Sequence, residues 1–148
     1  MKGAQAELTS NMRRPPEIDL PRVLVAAATT AASVTIAQAL RDAGYVVSTT
    51  LAGADFLRNL RNQKAIELLV LDCSERPWIV GSIIDSVRAI NWALPIVLIS
   101  RPDAELRAEA ERLGVEAILE APVAADDLRR VATMIVPVVP EVELDLAG

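Results

Sequence analysis

The side chains with the clearest chemical potential follow two short apolar runs. Asp72 comes directly after residues 68–71, and Ser100 comes directly after residues 96–99. They offer one carboxylate and one hydroxyl, and no glycine-rich loop that could hold a phosphate lies near either of them. The 148-residue sequence contains no histidine. Ser-His and Cys-His catalysis, histidine-ligated metals and a histidine phosphocarrier are therefore excluded.

Cys73 is the single cysteine of the chain. It excludes an intrachain disulfide and is typical of a protein in a reducing cytoplasm. A neighbouring carboxylate raises the pKa of a thiol, so we expect Cys73 to be partly buried and unreactive beside Asp72. Because no nucleophile can be paired with a base, the sequence predicts a protein that is not an enzyme.

Composition and charge exclude several further classes. Hydrophobic residues make up 52% of the chain, which is too many for a disordered protein. No apolar run approaches the roughly 20 residues of a membrane-spanning helix, and residues 1–20 contain no stretch resembling a signal peptide. The net charge of −5 argues against a nucleic-acid surface. We therefore expect one cytoplasmic domain with neither a nucleic acid nor a membrane as its partner.

Five apolar runs alternate with segments of helical period. The runs are residues 23–27, 45–50, 68–71, 96–99 and 115–119. Continuous aliphatic runs are typical of parallel strands that are buried on both faces. The segments after them repeat apolar residues at i, i+3 and i+4, and Gly44 and Gly114 follow two of these segments as helix ends. Right-handed crossovers then predict an α/β fold, a flavodoxin-like doubly wound sheet of five parallel strands with helices on both faces.

The predicted domain spans residues 21–136. Residues 1–20 mix polar, charged and proline residues without a period, and we predict a flexible leader there. Residues 137–148 carry two prolines and three acids, which predicts an acidic tail or the stump of a linker. The functional crevice of a doubly wound sheet lies beyond the carboxyl ends of its strands. Asp72 and Ser100 are therefore expected to face the same crevice.

Several segments, taken in order, resemble the receiver domain of two-component response regulators. They are residues 67–72, residues 94–100, residues 113–122 and the first βα unit up to the Ala43-Gly44 turn. In this resemblance Asp72 takes the place of the phosphoacceptor aspartate, and Ser100 takes the place of the hydroxyl residue of the switch. Pro77 lies near the position at which receiver domains usually have a proline in the loop after this aspartate. The resemblance covers residues 22–136, and it implies the fold that the apolar runs also predict.

The sequence departs from the receiver pattern at most of its chemical positions. In the family, two acids at the end of the first strand help to hold a magnesium ion, and Ala27 and Ala28 stand at those positions. Ala121 stands at the position of the lysine that pairs with phosphate, and Ile118 at that of the aromatic switch residue. Magnesium is usually held by more than one carboxylate, and a phosphoaspartate needs a cationic partner. We therefore expect no metal and no other cofactor in this crevice.

The resemblance and its departures together imply a degenerate receiver domain. Its function would be that of a non-catalytic protein–protein interaction module in bacterial signalling or assembly, not controlled by phosphorylation. Asp72 would then be vestigial, and we expect its carboxylate to be open to water or paired with Arg76 or Arg101. Two alternatives remain open. One is a response regulator that is still phosphorylated on Asp72, and the other is a small-molecule sensor that uses the vacated crevice.

The resemblance places partner binding on the face formed by the fourth helix, the fifth strand and the fifth helix. An apolar centre inside a rim of mixed charge is typical of a specific interface. The same face could also pair with itself in a homodimer, around a two-fold axis. The predicted partner surface comprises Leu106, Arg107, Ala110, Glu111, Arg112, Val115, Ala117, Leu128 and Arg129.

Two tryptophans flank the third predicted helix. Trp92 is predicted to close the core ahead of Leu94. For Trp78 two interpretations remain open, an exposed anchor for a partner or a lid packed over the crevice.

Overall fold

A computed structural model describes residues 20–63 and 65–138 of the chain. The strands are β1 (Arg22–Ala27), β2 (Val46–Leu51), β3 (Ile66–Asp72), β4 (Ile96–Ser100) and β5 (Ala117–Glu120). The helices are α1 (Thr30–Asp42), α2 (Ala54–Asn62), α3 (Val80–Ile90), α4 (Ala104–Arg112) and α5 (Ala125–Ile135), and a short 3₁₀ helix, Pro77–Ile79, precedes α3. Within this described part of the chain, no helix has the length and apolar character needed to cross a membrane.

The strands form one parallel sheet in the order β2-β1-β3-β4-β5. This confirms the predicted doubly wound α/β fold, and it places β2 and β5 at the two edges of the sheet. The register pairs Ala27 with Asp72 and Ser100 with Glu120. Because the strands are parallel, all four of these residues lie at the same, carboxyl edge of the sheet.

Two apolar cores lie on opposite faces of the sheet. Successive residues of β3 alternate between them: Leu69 and Leu71 pack with α2, α3 and α4, whereas Leu68 and Val70 pack with α1 and α5. All four side chains are fully buried. This explains why the strand reads as a continuous apolar run, since both of its faces are covered by helices.

The turns after α1 and α4 both use a glycine in the left-handed region. Gly44 has φ +105° and Gly114 has φ +81°. Both lie just beyond a helix end, where the chain reverses toward the next strand. A side chain is strained in this conformation because its Cβ approaches the backbone carbonyl. The two glycines therefore end their helices as the sequence predicts.

Arg88 ties α3 to the loops that precede β4 and β5. Its guanidinium donates to the carbonyl oxygens of Leu94 at 2.6 Å, Gly114 at 2.8 Å and Leu113 at 3.2 Å. The charge on the guanidinium strengthens these bonds. They fix the amino end of β4 and the turn after α4 relative to α3.

The chain after α5 packs back onto the domain. The Tyr45 hydroxyl donates to the carbonyl of Val136 at 2.6 Å, and Val138 is partly buried against the core between α1 and α5. Val138 falls in the segment predicted as a tail, so the packed domain extends two residues beyond the predicted boundary. The rest of that segment and residues 1–19 of the predicted leader lie outside the described residues.

Candidate functional site

An open crevice of about 660 Å³ lies beyond the carboxyl edge of the sheet, beside α1. Its charged residues are Asp72 at the end of β3, Glu75 in the following loop and Arg101 after β4. The remaining lining residues are Ala28, Thr29, Ala32, Thr35, Ile36, Ser74, Ile99, Pro102, Ala121, Pro122 and Val123. This is the position at which doubly wound sheets bind their ligands.

The carboxylate of Asp72 is held by its own loop. Its Oδ1 accepts hydrogen bonds from the backbone N–H of Ser74 at 2.9 Å and from the Ser74 hydroxyl at 2.7 Å. An aspartate that accepts from the N–H two residues later forms an Asx turn. Asp72 is partly exposed, and it makes no ion pair within residues 20–63 and 65–138. The carboxylate is therefore partly open to solvent and hydrogen-bonded to Ser74. It forms an ion pair with neither Arg76 nor Arg101.

The side chains at the two acid positions do not fit the magnesium ion that the receiver resemblance implies. Ala27 is fully buried, Ala28 lines the crevice, and neither has a side-chain oxygen. Among the described residues, no group of three or more histidine, cysteine, aspartate or glutamate side chains could hold a metal ion. Magnesium needs near-octahedral oxygen ligands and is expensive to dehydrate. Asp72, with one oxygen already engaged by Ser74, offers too few ligands.

Ala121, which the receiver resemblance assigns to the position of the phosphate-pairing lysine, presents a methyl group. Ala121 directly follows β5 and lines the crevice. Arg101 supplies the positive charge of the lining, and it is exposed, at the mouth of the crevice. A fixed cation at the position of Ala121 would neutralise a phosphoryl group, whereas an exposed and mobile guanidinium is screened by water.

The two switch positions are occupied by packed side chains. Ser100 is 2% exposed, and its hydroxyl donates to the carbonyl of Arg101 at 3.2 Å. Ile118 is partly buried on the edge strand and packs against the core that contains α3 and α4. An aliphatic side chain in van der Waals contact with the core has no polar group that could follow a change of charge in the crevice.

Cys73 lies beside the crevice but points into the core. Its side chain is buried with Leu71, Val80 and Ile84. Burial, and to a smaller extent the charge of Asp72, together raise the pKa of the thiol from 9.0 to about 12. The protonated thiol is a poor nucleophile and a poor metal ligand. Cys73 therefore contributes packing and no chemistry.

The predicted partner surface needs a correction in its apolar centre. Leu106, Ala110 and Leu128 are buried, so the prediction that they form an exposed apolar patch is wrong. They belong to the apolar stripes with which α4 and α5 pack on the sheet, and a single stripe cannot serve both purposes. Arg107, Glu111 and Arg112 are exposed, whereas Val115, Ala117 and Arg129 are partly buried.

The two tryptophans are both exposed. The prediction that Trp92 closes the core is wrong, because its side chain is 81% exposed and Leu94 fills the core position instead. The turn that separates Trp92 from Leu94 is stabilised by Asn91, whose side-chain oxygen accepts a hydrogen bond from the N–H of Ala93 at 3.1 Å. Trp78 is 77% exposed and is absent from the crevice lining. It is therefore not a lid over the crevice.

Sequence reasoning identified Asp72, Ser100 and the alanines around them, but it missed Ser74. The local signal was present, since a serine two residues after an aspartate can close an Asx turn with its N–H and its hydroxyl. The crevice gathers Asp72, Ala28 and Ala121, while Ala27 lies beneath it and Ser100 turns its hydroxyl toward the carbonyl of Arg101. These positions are brought together by the common carboxyl edge of four strands.

No protein-family model matches the chain, and no curated protein matches its sequence. Similar solved structures do exist. A response regulator receiver protein from Pseudomonas putida is 27% identical, with a TM-score of 0.69 over 78% of this chain and 97% of that one. A response regulator from Thermotoga maritima is 20% identical, with a TM-score of 0.70 over 79% and 98%. A candidate pilus assembly protein from Burkholderia thailandensis is 22% identical, with a TM-score of 0.68 over 78% and 98%.

Response regulator receiver domains are among the structural neighbours of this chain, and the similarity spans nearly the whole length of both that are named here. Receiver domains generally work in signalling through contacts with other proteins and do not act as enzymes in their own right. The fold is thus that of a signalling domain.

Proposed function

We propose that this chain is a degenerate receiver domain that acts as a non-catalytic protein–protein interaction module in bacterial signalling or assembly. Magnesium-dependent phosphorylation of Asp72 does not control it. The observation that carries the proposal is the crevice itself, in which alanines replace the metal-binding acids and the lysine while Ser74 holds the remaining carboxylate. Signalling and assembly both remain in the proposal because the structural neighbours include proteins of both kinds.

Phosphoryl transfer to an aspartate depends on cations. The transferred group carries its charge on three oxygens, and enzymes stabilise that charge with metal ions and fixed cationic side chains. Ala27 and Ala28 remove the acids that would hold the metal, and Ala121 removes the fixed cation. The two hydrogen bonds that Ser74 donates to Oδ1 also draw electron density from the Asp72 carboxylate and make it a weaker nucleophile.

The partner surface in this proposal is the face formed by α4, β5 and α5. β5 is an edge of the sheet, and the flanking helices present Arg107, Glu111 and Arg112 to solvent. With Leu106, Ala110 and Leu128 in the core, the apolar part of this face is reduced to the partly buried Val115 and Ala117. We infer a contact of mixed charges that a second copy of the chain can satisfy around a two-fold axis.

The test is phosphorylation of the full chain with acetyl phosphate and magnesium, followed by intact mass. We expect no added phosphate, and no saturable heat of binding when magnesium is titrated into the protein by calorimetry. A phosphorylatable receiver domain treated in parallel is the positive control. One added phosphate that is lost in Asp72→Asn would overturn the proposal and establish the first alternative, a response regulator phosphorylated on Asp72.

The size of the crevice favours a second candidate function, the sensing of a small molecule. A space of about 660 Å³ lies in the range of ligand pockets, and its lining combines apolar side chains with Asp72 and Arg101. A saturable rise in melting temperature with a metabolite, lost when Ala121→Trp fills the crevice, would establish this function. The same loss should not follow from Ala124→Trp, because Ala124 is exposed and does not line the crevice.

A further inference from the structure

A second concave surface lies away from the crevice, between the 3₁₀ helix and α4. It is a groove of about 400 Å³ lined by Pro77, Trp78, Asp103, Glu105, Leu106 and Glu109, and we call it the acidic groove. The Trp78 side chain forms part of this lining while 77% of it remains exposed. A large aromatic side chain that is left in water costs free energy unless a partner covers it, and tryptophan is the residue most enriched in binding hot spots.

The charge of the groove defines what could cover Trp78. Three carboxylates line it, those of Asp103, Glu105 and Glu109, and no lysine or arginine does. Asp103 caps α4 by accepting from the N–H groups of Glu105 and Leu106 at 2.9 Å and 3.1 Å, so its carboxylate is fixed at the groove. The ion pair of Glu109 with Arg112 is 3.6 Å long and exposed, and such pairs are weak and easily exchanged.

Gly81 leaves room for the third carboxylate beside α3. A Cβ atom at Gly81 would lie only 2.8 Å from either carboxylate oxygen of Glu109. The absent side chain therefore lets Glu109 lie directly against the first turn of α3. The 3₁₀ helix that carries Trp78 leads directly into that same turn. The Glu109 carboxylate therefore lies beside the segment that carries the Trp78 indole.

Trp92 shows that exposure alone does not make such a site. Its side chain is as exposed as that of Trp78, but it lies in the turn after α3 and lines none of the described pockets. The combination of an aromatic face with several carboxylates is specific to Trp78. This combination recognises a guanidinium or ammonium group, which stacks on the ring and pairs with the acids.

We propose that the acidic groove binds an arginine-bearing segment of a partner protein, with a guanidinium stacked on Trp78 and paired with Glu105 and Glu109. Arginine fits better than lysine because its planar group can stack and donate at the same time. The acidic groove is a separate surface from the proposed α4–β5–α5 contact. Helical periodicity places Glu105 and Glu109 on one flank of α4 and Arg107 and Glu111 on the other.

The test uses the full chain and an amidated hexapeptide of alternating arginine and glycine as the probe. In Trp92→Phe, which leaves Trp78 as the single tryptophan, the peptide should cause a saturable change in fluorescence that weakens as salt is added. Calorimetry should show binding about fivefold weaker in Trp78→Ala and nearly unchanged in Trp78→Phe, because phenylalanine keeps an aromatic face. The corresponding glutamate–glycine peptide should not bind.

A matched pair of double variants separates this groove from the general negative charge of the chain. Glu105→Gln with Glu109→Gln should weaken binding of the arginine–glycine peptide about fivefold. Asp42→Asn with Glu67→Gln removes the same charge from exposed positions outside the groove and should change the dissociation constant less than about twofold. Circular dichroism and thermal melting establish that each variant is folded.

Three results would overturn the proposal: no saturable binding, equal weakening in both double variants, or unchanged affinity in Trp78→Ala. Self-association that is lost in Trp78→Ala would also overturn it, because a second copy of the chain would then be the occupant. None of these results bears on Asp72, whose phosphorylation is measured separately. The inference and the proposed function can therefore fail independently.

Discussion

At the scale of single residues, the proposal of a degenerate receiver depends on the side chains at the carboxyl edge of the sheet. Ala28 and Ala121 present methyl groups where a metal ligand and a cation would be needed. The remaining acid, Asp72, accepts two hydrogen bonds from Ser74 on one oxygen. These bonds order the loop after β3, so Asp72 has a structural role whether or not it has a chemical one.

Cys73 gives a prediction at this scale. Because the folded state holds the pKa of the thiol near 12 instead of 9.0, Cys73 in the native protein should react with a thiol reagent at pH 8 far more slowly than in urea. Fast native labelling would contradict this.

The same shift in pKa predicts how stability depends on pH. Between pH 9 and 12 the unfolded chain loses the Cys73 proton while the folded chain keeps it, so the stability contributed by this thiol is complete below pH 9 and is lost as the pH rises. The slope is at most about 1.4 kcal/mol per pH unit. Urea unfolding at pH 8 and pH 10.5 should show this loss in the wild type and a smaller one in Cys73→Ala, which serves as the control for other groups that titrate.

At the scale of elements, each helix must end where the next strand can begin. α1 ends at Gly44, whose φ of +105° turns the chain into β2, and Val138 from the end of the chain packs against that turn. The bond from Tyr45 to Val136 lies beside it. This turn therefore joins the first βα unit to the last helix.

Two glycine substitutions should act in opposite directions. Gly44→Ala should destabilise the domain by about 1–2 kcal/mol, because alanine is strained at positive φ and its Cβ would lie 3.1 Å from Val138. Gly81→Ala should leave stability unchanged or raise it by up to about 1 kcal/mol, since alanine favours the helix and Glu109 can swing aside. Urea unfolding of both variants checks this, and a Gly44→Ala variant as stable as the wild type would refute the argument.

At the scale of the whole molecule, the domain offers three different surfaces around α4 and the carboxyl edge of the sheet. The crevice is lined by residues of both charges, the acidic groove by carboxylates, and the outer flank of α4 is exposed and of mixed charge. Surfaces of different charge attract different partners. We therefore expect each of these surfaces to select a different kind of partner.

Self-association gives the prediction at this scale. We expect the full chain to sediment as a dimer at tens of micromolar, and Arg107→Glu with Arg112→Glu to sediment as a monomer, because reversed charges would face like charges across the two-fold axis. Arg58→Glu with Arg61→Glu makes the same change on exposed positions of α2 and should leave the dimer intact. A dimer that survives the first double variant would place the contact elsewhere.

The order of the elements and the residues that meet at the crevice can both be predicted from the amino-acid sequence. Residues 68–71 and 96–99 are continuous apolar runs because β3 and β4 are covered by helices on both faces. Parallel strands bring their carboxyl ends to one edge, so the positions of Asp72, Ala28 and Ala121 followed from the strand assignments alone. Gly44 marked a helix end because few other residues tolerate its conformation.

Only the tertiary structure decided which side chains are available to partners. Periodicity places Leu106 and Ala110 on the apolar face of α4 and Leu128 on that of α5. Whether such a face is buried depends on the sheet against which the helix packs, and here both faces are buried. Trp92 is exposed because Leu94, two residues later, takes the core position. The acidic groove joins Trp78 to Glu109, 31 residues further along the chain, and no local pattern predicts a contact between segments that meet only when the sheet is complete.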